Sequence, residues 1–284
     1  MKAPSFDYTR PDTVTEALAL LASHGDAARV LAGGQSLLPS LNMRLSSPRL
    51  LVDITGLGEL SGIRVQGEVL RVGALTRHSE IERSADIARH VPLLAQAAPH
   101  IAHVAIRNAG TLGGSIALAD PAAEYPACVL ALEATLVIAG RGGERRVAAR
   151  DFFRALYTTA LAPDELLAAV EFPLPRRGYR SAFVELARRH GDYAIVGLAA
   201  HGRIDKGTIS DLRLAFLGVG ATALRALRAA AAMEGRSCEP QAVAAAQAAL
   251  GEDLEPSPDL YHSAAAKLHL ARVLTGRALG ALVQ

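Results

Sequence analysis

The chain holds two cysteines, Cys128 and Cys238, too few for an iron–sulfur cluster on four thiolates. Each reads as a small buried apolar residue. Neither sign of charge is in excess: 30 Lys and Arg against 28 Asp and Glu leave a formal +2. That balance gives no electrostatic footprint for nucleic acid or an anionic membrane surface. No apolar run approaches the length that spans a bilayer, and Met1 to Tyr8 lack the apolar core of a signal peptide. These absences predict a cytoplasmic protein without a transmembrane segment. The nine histidines are scattered and form no His-Glu-x-x-His motif. His100 and His103 could share a helix face, but nothing beside them supports a metal site. No repeat of 20–50 residues is visible. What is present is length and apolar content: 284 residues, 50% hydrophobic, enough for a full core and two domains.

Two glycine-paired runs organise the chain, Ala32-Gly33-Gly34-Gln35-Ser36 and Thr111-Leu112-Gly113-Gly114-Ser115. The first follows a short apolar strand, residues 28–31, and precedes a helical turn, residues 37–41. Paired glycines remove Cβ atoms, permit φ > 0, and let consecutive N–H groups approach a ligand. Ser36 and Ser115 add hydroxyls, and Gln35 an amide. That equipment suits a pyrophosphate. Either run alone also reads as a plain tight turn; two in one domain point to one phosphate-rich ligand held between two loops.

In chain order, Phe6 to Tyr8 reads as an edge strand. Thr13-Val14-Thr15-Glu16 is a capping box opening a helix that Gly25 closes. Leu50 to Ile54 reads as a buried strand. Residues 63–72 read as a hairpin around Gln66-Gly67-Glu68. Thr76 is placed to cap a helix carrying Ile81, with further helices at 91–98 and 127–132. Residues 136–138 and 166–172 read as strands. Pro173, Pro175 and Gly178 mark a boundary. Beyond it, residues 181–186, 194–201 and 209–217 read as a three-stranded antiparallel sheet, with a turn at Asp205-Lys206-Gly207. Alanine-rich helices follow at about 222–234, 240–250 and 259–281. Gly218-Val219-Gly220-Ala221-Thr222-Ala223 matches a dinucleotide-loop pattern. No second parallel strand ending in an acidic residue follows it, so it reads as a tight strand-to-helix connection.

Four segments occur in order: residues 32–39, residues 106–115, Asp120-Pro121-Ala122-Ala123-Glu124-Tyr125-Pro126, and Gly191-Asp192-Tyr193-Ala194-Ile195-Val196-Gly197. With them the chain resembles, over nearly its full length, the medium, FAD-binding subunit of molybdenum hydroxylases. That family includes the carbon monoxide dehydrogenase medium subunit and the xanthine dehydrogenase FAD domain. The resemblance implies an α+β fold. A two-subdomain FAD-binding domain of the vanillyl-alcohol-oxidase/MurB type would cover 1–175, split at about 55. A domain of a three-stranded antiparallel sheet and a helical bundle would cover 178–284. It implies that Ala32, Gly33, Gly34, Gln35, Ser36 and Thr111, Leu112, Gly113, Gly114, Ser115 hold the FAD pyrophosphate. Glu124 would hydrogen-bond the cofactor, where many relatives carry Asp. Tyr193 would lie near the isoalloxazine, or else be a half-buried strand-end tyrosine. Ile101 and Leu161 sit where relatives place apolar contacts, and both also read as core. Val184 and Glu185 stand where some relatives carry a lysine, so that contact should be missing. Arg107 would either steady the second loop or form a surface salt bridge.

The resemblance further implies partners: a small subunit with two [2Fe–2S] clusters and a large subunit with the molybdenum cofactor, as a dimer of heterotrimers. No residue reads as a substrate acid, base or nucleophile, which fits an electron-transfer subunit. The rival reading is a self-sufficient FAD oxidase with its own organic substrate. A cofactor-free scaffold would leave two donor-rich loops unexplained.

Overall fold

The computed structural model describes residues 2–284. The first unit contains β1 (Asp7–Thr9), α1 (Val14–His24), β2 (Ala28–Leu31), α2 (Leu37–Asn42) and β3 (Leu50–Asp53). Its strands form a parallel sheet in the order β1-β3-β2. The central β3 is buried at every residue, as its unbroken apolar run predicts. Thr13 caps α1, its hydroxyl accepting from the Glu16 N–H at 3.1 Å. The reciprocal half of the box is displaced: Glu16 accepts from the N–H of Asp12, not of Thr13.

The second unit opens with the expected hairpin, β4 (Ile63–Gln66) and β5 (Val69–Gly73), turning at Gly67. Five short helices follow: α3 (His78–Arg83), α4 (Ala85–His90), α5 (Pro92–Ala97), α6 (Val104–Arg107) and α7 (Leu112–Leu118). The unit continues through α8 (Glu124–Ala131), β6 (Thr135–Gly140), β7 (Gly143–Ala148), β8 (Phe153–Ala155), β9 (Thr158–Thr159) and β10 (Leu166–Pro173). Its antiparallel sheet runs β4-β5-β10-β6-β7. Thr76 caps no helix. Its hydroxyl bonds the N–H and C=O of Gly62 at 3.1 and 3.2 Å, and Arg77 is the residue before α3. The second glycine run is not a loop either: Thr111 is an N-cap, and Leu112 to Ser115 begin α7.

The third unit holds β11 (Tyr179–Ala187), β12 (Ala194–Asp205), β13 (Thr208–Leu217), β14 (Leu224–Arg225), α9 (Leu227–Ala231), β15 (Arg236–Ser237), α10 (Pro240–Asp253) and α11 (Ala264–Val283). The three long antiparallel strands are those expected. The sheet is larger than three strands, because the two-residue β14 and β15 also pair with β13. Lys206 and Gly207, at φ +48 and +83, make the predicted turn. The Gly218–Ala223 run opens no helix: the chain folds back into β14. At Gly218, φ is +79 and a Cβ would lie 2.5 Å from the Ile195 carbonyl oxygen, so glycine is required for close packing.

One core joins the second and third units. Helix α8, buried on all eight residues, packs against α5 and α7 and also against β12 and β13. A second core lies between that sheet and α9 to α11, around Val196, Leu198, Phe216, Met233, Leu274 and Leu279.

Two histidines are buried neutral. Burial, reinforced by nearby Arg107 and Arg213 respectively, holds His78 and His201 down to about 4. Their folded pKa lies below the unfolded value, so the unfolded chain binds more protons between about pH 6.5 and 4. Stability therefore falls as pH falls through that window. We expect the loss to be on the order of 2–3 kcal/mol per histidine. Urea denaturation of wild type and His201→Asn at pH 7, 5.5 and 4.5 checks this; the variant should lose less on acidification.

Candidate cofactor site

Gly33 is where the first glycine run rests on the turn that leads into the second. A Cβ there would lie 2.3 Å from the Ala109 carbonyl oxygen and 2.7 Å from Gly110 Cα. Only glycine lets the β2–α2 connection rest on the turn before α7. Gly113 sits as tightly on Ala74, where an added Cβ would be 2.4 Å from the alanine Cβ. Gly114 differs. It is exposed, and past the Thr111 hydroxyl at 2.9 Å its Cβ would meet only Ala32 Cβ at 4.0 Å. The first run is thus seated on the Ala109–Gly110 turn, and beside Gly114 the two runs leave open space bordered by Ala32.

Backbone donors divide unequally between the runs. Leu112 donates to Thr76 O at 2.9 Å, Gly113 to Ala74 O at 2.8 Å and Ser115 to Thr111 O at 3.1 Å. Gly114 donates to Thr111 Oγ1 at 3.1 Å. From Leu112 on, the amides of the second run are all committed, contrary to expectation, because they start a helix seated against the end of β5 and the residues just after it. In the first run the N–H groups of Gly33, Gly34, Gln35 and Ser36 donate to nothing in the chain. Gly34 has φ +71, and the Gln35 amide turns back onto Gly33 O at 2.9 Å. Ser36 is exposed.

The acidic turn lies past α7. Asp120 accepts from the Ala122 N–H at 2.9 Å, shaping the turn into α8. The Pro121 carbonyl accepts from the Gly218 N–H at 2.8 Å, tying the turn to the end of β13. Glu124 opens α8 at 7% exposure, with no Lys or Arg paired to it. Burial, with the Asp120 charge adding to it, pushes its carboxyl up to about 7.

Two tyrosines reach this turn from different elements. Tyr193, on the β11–β12 connection, is 73% exposed. Desolvation, then the Asp120 and Glu124 carboxylates, raise its phenol above the ordinary value. Tyr157, between β8 and β9, lies 3.4 Å from Asp120 Oδ2 through its hydroxyl. Sequence reasoning missed Tyr157, whose φ of +53 and partner exist only in the folded chain. Asp120 was visible in the third segment but was assigned no role.

Ile101 and Leu161 belong to the main core, the first buried and the second packed against it. The Leu161 N–H already donates to Thr159 Oγ1 at 3.2 Å. Arg107 neither steadies the glycine run nor lies on the surface. It is buried, bonds Glu82 at 2.8 Å, and donates to Ala102 O at 3.0 Å and Ile101 O at 3.2 Å. It clamps the 101–102 segment onto α3.

Residues 4–175 match the family described as the FAD binding domain in molybdopterin dehydrogenase. Residues 181–282 match the CO dehydrogenase flavoprotein C-terminal domain. The chain belongs to the molybdopterin-dehydrogenase FAD-binding family. It is 41% identical over 280 residues to the 6-hydroxypseudooxynicotine dehydrogenase complex subunit alpha of Paenarthrobacter nicotinovorans, covering 98% of this chain and 95% of that one. It is 38% identical over 281 residues to the carbon monoxide dehydrogenase medium chain of Hydrogenophaga pseudoflava, covering 99% and 98%. A solved structure of carbon monoxide dehydrogenase from that organism, lacking the Mo-pyranopterin moiety, superposes with TM-score 0.97 at 40% identity over 99% and 98% of the two chains. Quinoline 2-oxidoreductase from Pseudomonas putida 86 gives TM-score 0.94 at 39% identity, covering 100% and 99%.

The chain is thus an FAD-binding medium subunit of the molybdenum hydroxylases, an oxidoreductase component. Its fold is a mixed α/β FAD-binding domain followed by a domain of antiparallel sheet and helices. Among the described residues no helix is long and apolar enough to cross a membrane.

Gly33→Ala must force the first run off the Ala109–Gly110 turn, since backbone atoms there occupy the Cβ position. We expect a stability loss of roughly 1–3 kcal/mol, the usual cost of overpacking, measured by chemical denaturation. Gly114→Ala, with open space beyond one hydroxyl, should cost less.

Proposed function

We propose that this chain holds FAD non-covalently between Ala32–Ser36 and Thr111–Ser115. In this reading it receives electrons from [2Fe–2S] clusters of a small subunit and passes them to an external acceptor. The molybdenum cofactor would sit in a large subunit, in a dimer of heterotrimers. The single observation that carries the reading is the set of unbonded N–H groups at Gly33 to Ser36 next to the open face of Gly114. Four amide donors and a free hydroxyl fit a pyrophosphate, and the missing Cβ atoms leave room for it. FAD bound there supplies the redox chemistry. The residues of this chain hold and orient it. Ser36 and the first-run amides take the phosphate oxygens. Thr111 to Ser115 supply a firm, side-chain-poor wall. Glu124 hydrogen-bonds the cofactor, Ile101 and Leu161 give apolar contact, and Tyr193 limits access to the flavin ring.

The division at 1–175 and 178–284, with subdomains meeting at about residue 55, belongs to the same proposal. So does assignment to the vanillyl-alcohol-oxidase/MurB type. It is supported by the separate parallel and antiparallel sheets of the first two units, which share a cluster of Leu18, Leu21 and Val52 from the first with Leu75, Ala139 and Leu166 from the second.

The test pairs two substitutions. Gly114→Val fills the open face and should abolish flavin retention, read from the flavin absorption of the purified protein. Tyr193→Ala should keep the flavin but change its spectrum and speed or slow its reoxidation. An aromatic contact contributes about 0.5–1.5 kcal/mol, small beside several backbone donors at about 0.5–1.5 kcal/mol each. Full occupancy in Gly114→Val defeats the pyrophosphate assignment. An unchanged reoxidation rate in Tyr193→Ala, with only melting temperature lowered, makes Tyr193 a packing residue.

The purified single chain, loaded with FAD and free of partners, should stay oxidised when mixed anaerobically with organic substrates. Bleaching of the flavin band would favour the self-sufficient oxidase.

A further inference from the structure

His78 opens α3, and its imidazole lies against Gly110. A Cβ on Gly110 would fall 2.6 Å from His78 Nε2 and 2.7 Å from its Cδ2. The ring thus takes the space that a side chain at Gly110 would need. Gly110 in turn underlies Gly33, whose own Cβ would fall 2.7 Å from Gly110 Cα. Imidazole, Gly110 and Gly33 therefore form one unbroken line of contact. We infer that His78 is a positioning residue of the cofactor site: its imidazole props the Ala109–Gly110 turn on which the first glycine run is seated. This inference rests on the FAD reading above.

The neighbouring backbone fixes the base of the prop. The His78 N–H donates to Gly110 O at 3.0 Å, and Thr76 O accepts from the Leu112 N–H at 2.9 Å. Arg77 pairs with Thr111 in an antiparallel bridge, and its guanidinium donates to Asn108 O. Residues 76–78 thus run alongside residues 108–112 and carry the ring to Gly110. The ring also meets that of Tyr125 on α8, with centroids 5.2 Å apart and planes at 59°. Tyr125 is fully buried in the main core and gives the imidazole a firm backing.

Space-filling alone does not account for a histidine here. The side chain is buried, and its Nδ1 has no hydrogen-bond partner. An idle polar atom in the interior is costly, and a leucine would fill volume without it. The imidazole offers instead a rigid, flat edge. Such an edge fits against backbone that lacks a Cβ, where branched methyl groups would crowd it. Without the ring, Gly110 and the Gly33 that rests on it lose their support. The unbonded N–H groups of Gly33 to Ser36 then lose the preset arrangement that a pyrophosphate needs.

The test uses the full chain carrying isotope-labelled glycine, read by NMR without FAD and titrated with FAD. His78→Ala should shift the Gly33, Gly34 and Gly110 amide signals of the unloaded chain. Its folded fraction should bind FAD on the order of tenfold more weakly, the equivalent of about one backbone donor. Gly110→Ala should weaken binding by pushing on the ring, and by less in the His78→Ala background, where the ring is gone. The two effects should therefore not add. His201→Asn, which alters a buried histidine of the third unit, should leave FAD affinity and these glycine signals in place. Should His78→Ala not fold, His78→Asn carries the same expectations. Wild-type FAD affinity in His78→Ala overturns the inference, as do unmoved Gly33 and Gly34 signals or strictly additive effects. If wild type binds no FAD, the cofactor reading falls, and the glycine signals alone decide whether His78 holds Gly33.

Discussion

Helix α8 has no solvent-facing side: all eight of its residues are buried, and Glu124 is one of them. Its sequence, Glu-Tyr-Pro-Ala-Cys-Val-Leu-Ala, is apolar all round apart from that first residue, as a fully enclosed helix must be. Enclosure comes from both halves of the chain, since α8 touches α5 and α7 as well as β12 and β13. Neither half can bury this helix alone. The Pro121–Gly218 backbone bond fixes the entry to α8 from the side of the later sheet. The acid at the head of the helix is consequently held in place by two units that are far apart in sequence.

Gly33 imposes a second constraint of the same kind. The first run is free to offer its amides only because the second run does not need to. Leu112 and Gly113 are bonded to Thr76 and Ala74, and Gly114 and Ser115 bond back to Thr111, giving a rigid wall. Gly33 rests on the Ala109–Gly110 turn just before that wall, and Gly33 to Ser36 keep their N–H groups unbonded. Paired glycines therefore serve two different purposes in the two runs: close packing at Gly33 and Gly113, and open space at Gly114. A preformed set of donors binds without the cost of ordering a mobile loop.

Most strands were legible because their signals are local. The buried run of β3, the alternation across β4 and β5, and the Lys206-Gly207 turn each follow from a few adjacent residues. What escaped detection is non-local. Strand β7, Gly-Glu-Arg-Arg-Val-Ala, has no apolar pattern; it exists because it pairs with β6, and Arg71 and Arg146 converge on Glu171 across the sheet. Residues 224–225 were read as helix on alanine content, yet pairing with β13 holds them extended. Thr76 carried a good capping signal that Gly62 outcompeted. In the site, the glycine runs and Glu124 stood out by motif. Tyr157 did not, since a single tyrosine carries no signal of what will close over it.

The placement of Tyr193 depends on a chain of contacts that starts at a buried arginine. Glu82 on α3 holds Arg107, and Arg107 holds the carbonyls of Ile101 and Ala102. Ala102, at φ +44, presents its backbone to Gly191, where a Cβ would come within 3.0 Å of the Ala102 oxygen and of His103 Nδ1. Gly191 begins the segment that carries Tyr193. The same hairpin carries Glu185, which pairs with Gly197 in the β11–β12 register. One end of the hairpin thus sets an exposed aromatic ring beside the acidic turn, while a few residues earlier it sends a carboxyl into the interior. Because both ride on one pair of strands, a shift of that hairpin moves ring and acid together. Its seat is the 101–103 segment, and the only charged side chain bonded to that segment's carbonyls among the described residues is Arg107. A buried arginine distant in sequence from the tyrosine therefore steadies the seat of the Gly191 end of that hairpin, through charge-assisted bonds to backbone carbonyls.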